Sequence, residues 1–228
     1  MTLIAVARLM AAKDLRVELR SRVVLNQVLP FAAVVMVLFG FALDNDGILP
    51  QVAPGLIWLA TMFSLLIVVQ RAFAVEAADG ALDALQVAGV RPAGIFLGKA
   101  AALAVQLFVL QIGLVFGSVL LFNSKLHPGG LVLLLVTLVA ATLGMTFVGT
   151  IYGGLAAGAT GRETLLPLLL LPVVAPVLIG ATRATEASLS VGGTSMREGW
   201  AWIALLATFA TLFGIGGSLA FGSLLEDQ

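Results

Sequence analysis

The chain has 228 residues, 61% hydrophobic and only 11% charged, with 12 basic and 12 acidic side chains that cancel at pH 7 and no cysteine. Soluble domains run at roughly 45–50% apolar residues, so this composition argues against a water-soluble enzyme and makes the lipid bilayer the solvent to reason with. Charge balance removes the basic footprint of a nucleic-acid binder, and the missing cysteine excludes disulfides, iron–sulfur ligation and covalent c-type haem attachment.

Residues 1–22 carry Arg8, Lys13, Asp14, Arg16, Glu18 and Arg20, which interrupt any secretory apolar core. Leu3, Val6, Met10 and Val17 recur at helical spacing and predict an amphipathic helix on the inner membrane surface. Lys13 falls inside that stripe, and Leu15 and Leu19 fall off it.

A charge at the bilayer centre costs about 2.5–3.5 kcal/mol on insertion scales, so charge-free runs mark the crossings. Six such runs cover 23–43, 48–70, 100–124, 126–161, 164–182 and 199–225. They predict six transmembrane helices near 23–43, 52–75, 98–123, 131–155, 164–182 and 199–223, in a single all-α membrane domain over 1–228. The fourth run is too long for one crossing and is trimmed by Pro128, Gly129 and Gly130 and by the small residues of 156–161. Pro167, Pro172 and Pro176 predict a kinked or broken fifth helix. Gly192 and Gly193 favour turns in the segment 182–199, with short external helices as the alternative.

Cytoplasmic loops are enriched in Lys and Arg. With the N-terminus inside, Arg8, Lys13, Arg16, Arg20, Arg22, Arg71, Arg91, Lys99 and Arg162 are cytoplasmic, and only Lys125, Arg183 and Arg197 are external. Six crossings then return the C-terminus to the cytoplasm.

The spans contain no central carboxylate, lysine or histidine, which leaves a proton-coupled carrier little to work with. Their polar residues, among them Thr61, Ser64, Gln106, Gln111, Thr142, Thr146 and Thr150, can bond to a carbonyl one turn back or to a neighbouring helix. The stretch Gly94-Ile95-Phe96-Leu97-Gly98-Lys99-Ala100 has one residue too few between its glycines for a P-loop and alanine where magnesium needs a hydroxyl, so it is the start of a helix. No zinc motif or nucleophile elbow is present, and His127, the sole histidine, sits beside Pro128 as a solvated loop residue. Gly113/Gly117, Gly149/Gly153 and Gly154/Gly158 are spaced for close helix packing. Energy for any transport cycle must come from another subunit.

The segment 70–89 leaves the second span for the cytoplasm. On a helical wheel Glu76, Asp79 and Asp83 share one stripe, and Ala78, Leu82 and Leu85 another about 120° away. Val90-Arg91-Pro92 ends it. The pattern fits a docking surface for a motor subunit and, equally, a solvated loop whose leucines rest on the bilayer.

Ala53-Pro54-Gly55-Leu56-Ile57-Trp58, followed by Gln70-Arg71-Ala72-Phe73-Ala74-Val75-Glu76-Ala77-Ala78-Asp79-Gly80-Ala81-Leu82-Asp83-Ala84-Leu85, resembles the CcmB family of cytochrome c maturation permeases. The family pattern is A-P-G, two hydrophobic residues and W, then E-R-x-F-x-x-D/E-x-x-D-G-x-L-E/D-x-L. Gln70 departs from it, standing where the family usually has glutamate.

The resemblance implies a homodimeric, non-catalytic ABC-2-type permease of the bacterial inner membrane. Partners would be a separate CcmA-like cytoplasmic ATPase, which alone binds ATP, a CcmC-like haem-handling membrane protein and a small membrane subunit. It implies haem as a transported or handled ligand and a coupling helix over 76–89. Arg71, Phe73, Glu76, Asp79, Gly80, Leu82, Asp83 and Leu85 would couple to the ATPase, and Pro54, Gly55 and Trp58 would form the motif that opens the second span. An ABC-2 exporter of a lipid, drug or polysaccharide shares all the composition and patterning evidence.

Overall fold

The computed structural model describes residues 2–43, 47–78, 84–85, 87–122, 128–157 and 162–226. The described residues form helices joined by short connections: α1 (Leu3–Ser21), α2 (Leu29–Leu43), α3 (Leu49–Ala78), α4 (Pro92–Phe122), α5 (Pro128–Ala157), α6 (Arg162–Leu189) and α7 (Met196–Glu226). A π-helical turn, Val24–Val28, leads into α2. Among the described residues six helical segments are long and apolar enough to cross a membrane: Val24–Leu43, Leu49–Ala74, Pro92–Phe122, Gly129–Ala157, Thr164–Leu189 and Met196–Leu224. This is a multi-pass helical membrane protein.

The helices overrun the charge-free runs where charges are neutralised locally. α4 begins at Pro92 and passes straight through Lys99, which is paired with carboxylates. α6 continues through Arg183 and Glu186, which pair with each other at 2.9 Å. α6 also stays helical through Pro167, Pro172 and Pro176. The expected break does not occur, because a buried face of Leu166, Leu170, Val174 and Val177 holds the helix against its neighbours.

α5 is the centre of the bundle, packed against α3, α4, α6 and α7. Most hydroxyls inside the bundle bond to a carbonyl one turn back on their own helix, as Thr61 does to Ile57 (2.8 Å), Thr137 to Leu133 (2.7 Å) and Thr150 to Thr146 (2.7 Å). The exception ties two helices together: Thr142 of α5 donates to Gln111 Oε1 of α4 at 2.8 Å.

The end of the bundle where α5 starts and α6 finishes is tightly knit. A Cβ added at Gly130 would lie 1.9 Å from the Ser188 carbonyl oxygen, so only glycine lets α5 touch the α6 backbone. The 182–199 segment resolves into the last turns of α6, a tight turn with Gly192 and Gly193 at φ +66° and +74°, and the start of α7. Ser195 and Glu198 close that start as a capping box: the Ser195 N–H donates to Glu198 Oε2 at 2.8 Å, and the Glu198 N–H donates to Ser195 Oγ at 3.3 Å.

α1 starts at Thr2, whose Oγ1 accepts from the Ala5 N–H at 3.3 Å. It stops at Arg22, a non-glycine residue in the left-handed region with φ 51°. Its apolar stripe turns toward protein: Val6 and Met10 are buried against α4, while Val17 is exposed. The cause is the pair Gly94 and Gly98. Added Cβ atoms there would come within 2.7 Å of Val6 and 2.5 Å of Met10, so their bare backbone forms the seat for α1.

Candidate functional site

The second half of α1, the C-terminal end of α3 and the N-terminal end of α4 converge on a cluster of charges. Lys99 of α4 is wholly buried, and its ammonium reaches Glu76 Oε2 at 2.9 Å, Asp14 Oδ2 at 3.3 Å and the Ala72 carbonyl at 3.3 Å. The ammonium donates to Asp14 and to the Ala72 carbonyl, and the contact with Glu76 Oε2 is an ion pair rather than a hydrogen bond. The same ammonium lies 4.6 Å from the centroid of the Phe73 ring, a cation–π contact that adds to its stabilisation. Lys13 of α1 pairs with Glu76 and, at 3.2 Å, with Asp14. Two lysines and two carboxylates therefore form a neutral quartet, the condition under which buried charge is tolerated.

A second contact lies one turn further along. Glu18 accepts from the Val24 N–H at 2.7 Å through one carboxylate oxygen and faces Arg71 at 3.6 Å with the other. A cavity of about 60 Å³ lies between the two contacts, walled by Lys13, Glu18, Arg71, Glu76 and Gln106 among others. Burial of Lys13 opposes its charge, but Glu76 and Asp14 outweigh that and hold the ammonium above the ordinary lysine value of 10.5.

Sequence patterning sets Glu76 on an outward acidic stripe with Asp79 and Asp83. In the structure Glu76 is 3% exposed and turns inward to Lys13 and Lys99. Phe73 is buried beside Gly153, where a Cβ would come 2.6 Å from the ring. Arg71 is half-buried on Glu18. Leu85 packs against the hydrophobic core, and Val87 is 91% exposed and so presents an apolar side chain outward. Asp79, Gly80, Leu82 and Asp83 lie outside the described residues.

Pro54, Gly55 and Trp58 lie at the opposite end of α3. Trp58 is buried, and its indole N–H donates to Thr185 Oγ1 of α6 at 2.9 Å. Thr185 in turn donates to the Ala181 carbonyl at 2.7 Å. A Cβ on Gly55 would meet nothing within 4 Å, so that glycine is not needed for packing. Trp58→Phe keeps the ring and removes the donor, leaving the Thr185 hydroxyl satisfied. A loss of about 1 kcal/mol is expected in the unfolding of the detergent-purified protein.

Lys13, Asp14, Glu18 and Lys99 were not singled out as site residues by motif. Two signals pointed to them: Lys13 interrupts the apolar stripe of α1, and Lys99 directly follows the Gly94/Gly98 pair.

The family model for CcmB protein matches residues 5–223. This chain belongs to the CcmB family. The heme exporter protein B of Pseudomonas aeruginosa is 29% identical over 225 residues, covering 92% of this chain and 95% of that protein. That of Rhodobacter capsulatus is 30% identical over 211 residues, covering 91% and 90%. That of Bradyrhizobium diazoefficiens is 32% identical over 206 residues, covering 89% and 90%. For this CcmB chain the match takes in α1, the charged quartet and all six apolar helices, so the geometry described above lies within the matched region.

Proposed function

We propose that this chain is the membrane permease subunit of a haem export system serving c-type cytochrome biogenesis. The observation that carries the reading is the CcmB match over residues 5–223, which leaves none of the six apolar helices outside it. The permease has no catalytic role of its own. A separate cytoplasmic ATPase binds and hydrolyses ATP, and haem, or the protein that carries it, is what the cycle moves.

The assembly we infer is a homodimer in the bacterial inner membrane with both termini in the cytoplasm. It works with a haem-handling membrane protein and a small membrane subunit. The excess of Lys and Arg on one side of the helices supports the orientation. The connection between α3 and α4, residues 79–91, is then cytoplasmic and is the place where the ATPase acts. Arg71, Phe73 and Glu76 brace that connection from within, exposed Val87 is open to the ATPase, and Asp79, Gly80, Leu82 and Asp83 are the further residues we assign to that contact.

Val87→Asp tests this reading, because Val87 is exposed and its replacement disturbs no core contact. The expected result is normal insertion, loss of the co-purifying ATPase and loss of c-type cytochromes. Retained ATPase with normal cytochrome yield overturns the assignment of the docking face.

A further inference from the structure

We propose that Glu76 is a positioning residue: it passes movement of the α3–α4 connection to α1 and α4 through Lys13 and Lys99, and α1 then turns about an elbow at residues 22–28. The proposal rests on the reading above that a cytoplasmic ATPase acts on that connection.

α1 lies antiparallel to the end of α3. Lys13 meets Glu76, while Glu18, later in α1, meets Arg71, earlier in α3. One ion pair is a pivot, but two at different points along a pair of helices fix direction as well as position. Lys99 adds a third anchor by holding Glu76 and Asp14 to α4. The Glu76 carboxylate faces two ammonium groups and is 3% exposed, so it acts on its neighbours within the chain.

The other end of α1 has a different construction. The left-handed Arg22 and the π-turn Val24–Val28 interrupt regular α-helical bonding between α1 and α2, and the Glu18 carboxylate spans the interruption through the Val24 N–H. Motion between packed elements is absorbed by a few residues at element ends, and π-turns inside helices recur at functional positions. α1 is therefore clamped to α3 and α4 and jointed to α2. A push on the α3–α4 connection moves the clamped unit and bends the joint.

Lys13→Met tests this in the assembled complex with its ATPase. Lys13 is 44% exposed, and its loss leaves Lys99, the buried lysine, in contact with both Glu76 and Asp14, so the fold is expected to be retained at some cost in stability. Because the chain has no cysteine, spin labels attach only at introduced sites; Leu9→Cys on α1 and Leu155→Cys on α5 are both exposed. The expected result for Lys13→Met is wild-type assembly and ATP hydrolysis within about twofold of wild type. The ATP-dependent change in label distance falls by at least about half, c-type cytochrome yield falls about fivefold, and Lys13→Arg restores both. A wild-type distance change and yield in Lys13→Met overturns the proposal. So does a parallel fall of assembly, hydrolysis and yield, the mark of a merely structural role, or loss of the ATPase from this variant alone. If the unmodified chain retains no ATPase, the reading of the α3–α4 connection falls as well.

Discussion

Lys99→Met is expected to destabilise the protein by about 3–5 kcal/mol, because removing one member of a buried ion cluster leaves its partners uncompensated. Methionine fills much the same volume, so lost packing is a small part of the effect. What is lost is the ammonium that donates to Asp14 and the Ala72 carbonyl and pairs ionically with Glu76. Lys13 alone then faces two carboxylates. For a chain of this size the change corresponds to a fall of about 6–20 °C in the melting midpoint. Lys99→Met combined with Glu76→Met leaves the balanced Lys13–Asp14 pair and is expected to recover most of the loss, since apolar replacement of a whole buried pair is often neutral. The check is a double-mutant cycle on protein purified in one detergent. A single Lys99→Met variant that melts with the wild type would show that the quartet is not buried.

Gly130→Ala is the second large effect expected. The new Cβ would sit 1.9 Å from the Ser188 carbonyl oxygen, and that oxygen belongs to the α6 backbone, which has no rotamer to swing away. α5 and α6 must separate, at a cost of about 3 kcal/mol, the upper end of ordinary overpacking. Gly129→Ala is the internal control. It lies one residue away in the same helix, and its Cβ meets nothing within 4 Å. It is expected to be neutral or slightly stabilising, because alanine has the higher helix propensity. Thermal unfolding of the two variants side by side decides the point, and equal midpoints would remove the close approach of α5 to α6.

The six crossings were legible because exclusion of charge from hydrocarbon is a one-dimensional property of the chain. Their ends were less legible, since a charge ends a crossing only when nothing neutralises it. Lys99 lies in the interior of α4 because Glu76 and Asp14, remote in sequence, supply that neutralisation. A helical wheel placed Glu76, Asp79 and Asp83 on one stripe, but a single helix does not reveal which neighbour covers which part of it. Glu76 is covered by α1 and α4, a contact that becomes visible only once both helices are placed. The same holds for Trp58, whose motif was readable although its partner Thr185 is 127 residues away. Gly94 and Gly98 were read as the start of a helix, which they are, but their use as a seat for α1 depends on which surface α1 meets.

The seat has a consequence for biosynthesis. α1 leaves the ribosome before α4, and Asp14 cannot reach Lys99 until 85 further residues have been made. At about 5–20 residues per second that interval is roughly 4–17 s. During it Asp14 lacks its Lys99 partner, and the apolar Val6 and Met10 lack the Gly94 and Gly98 seat they pack on. The contact between α1 and α4 is thus held open until α4 is made, and completion of the charged quartet reports that the third crossing is in place.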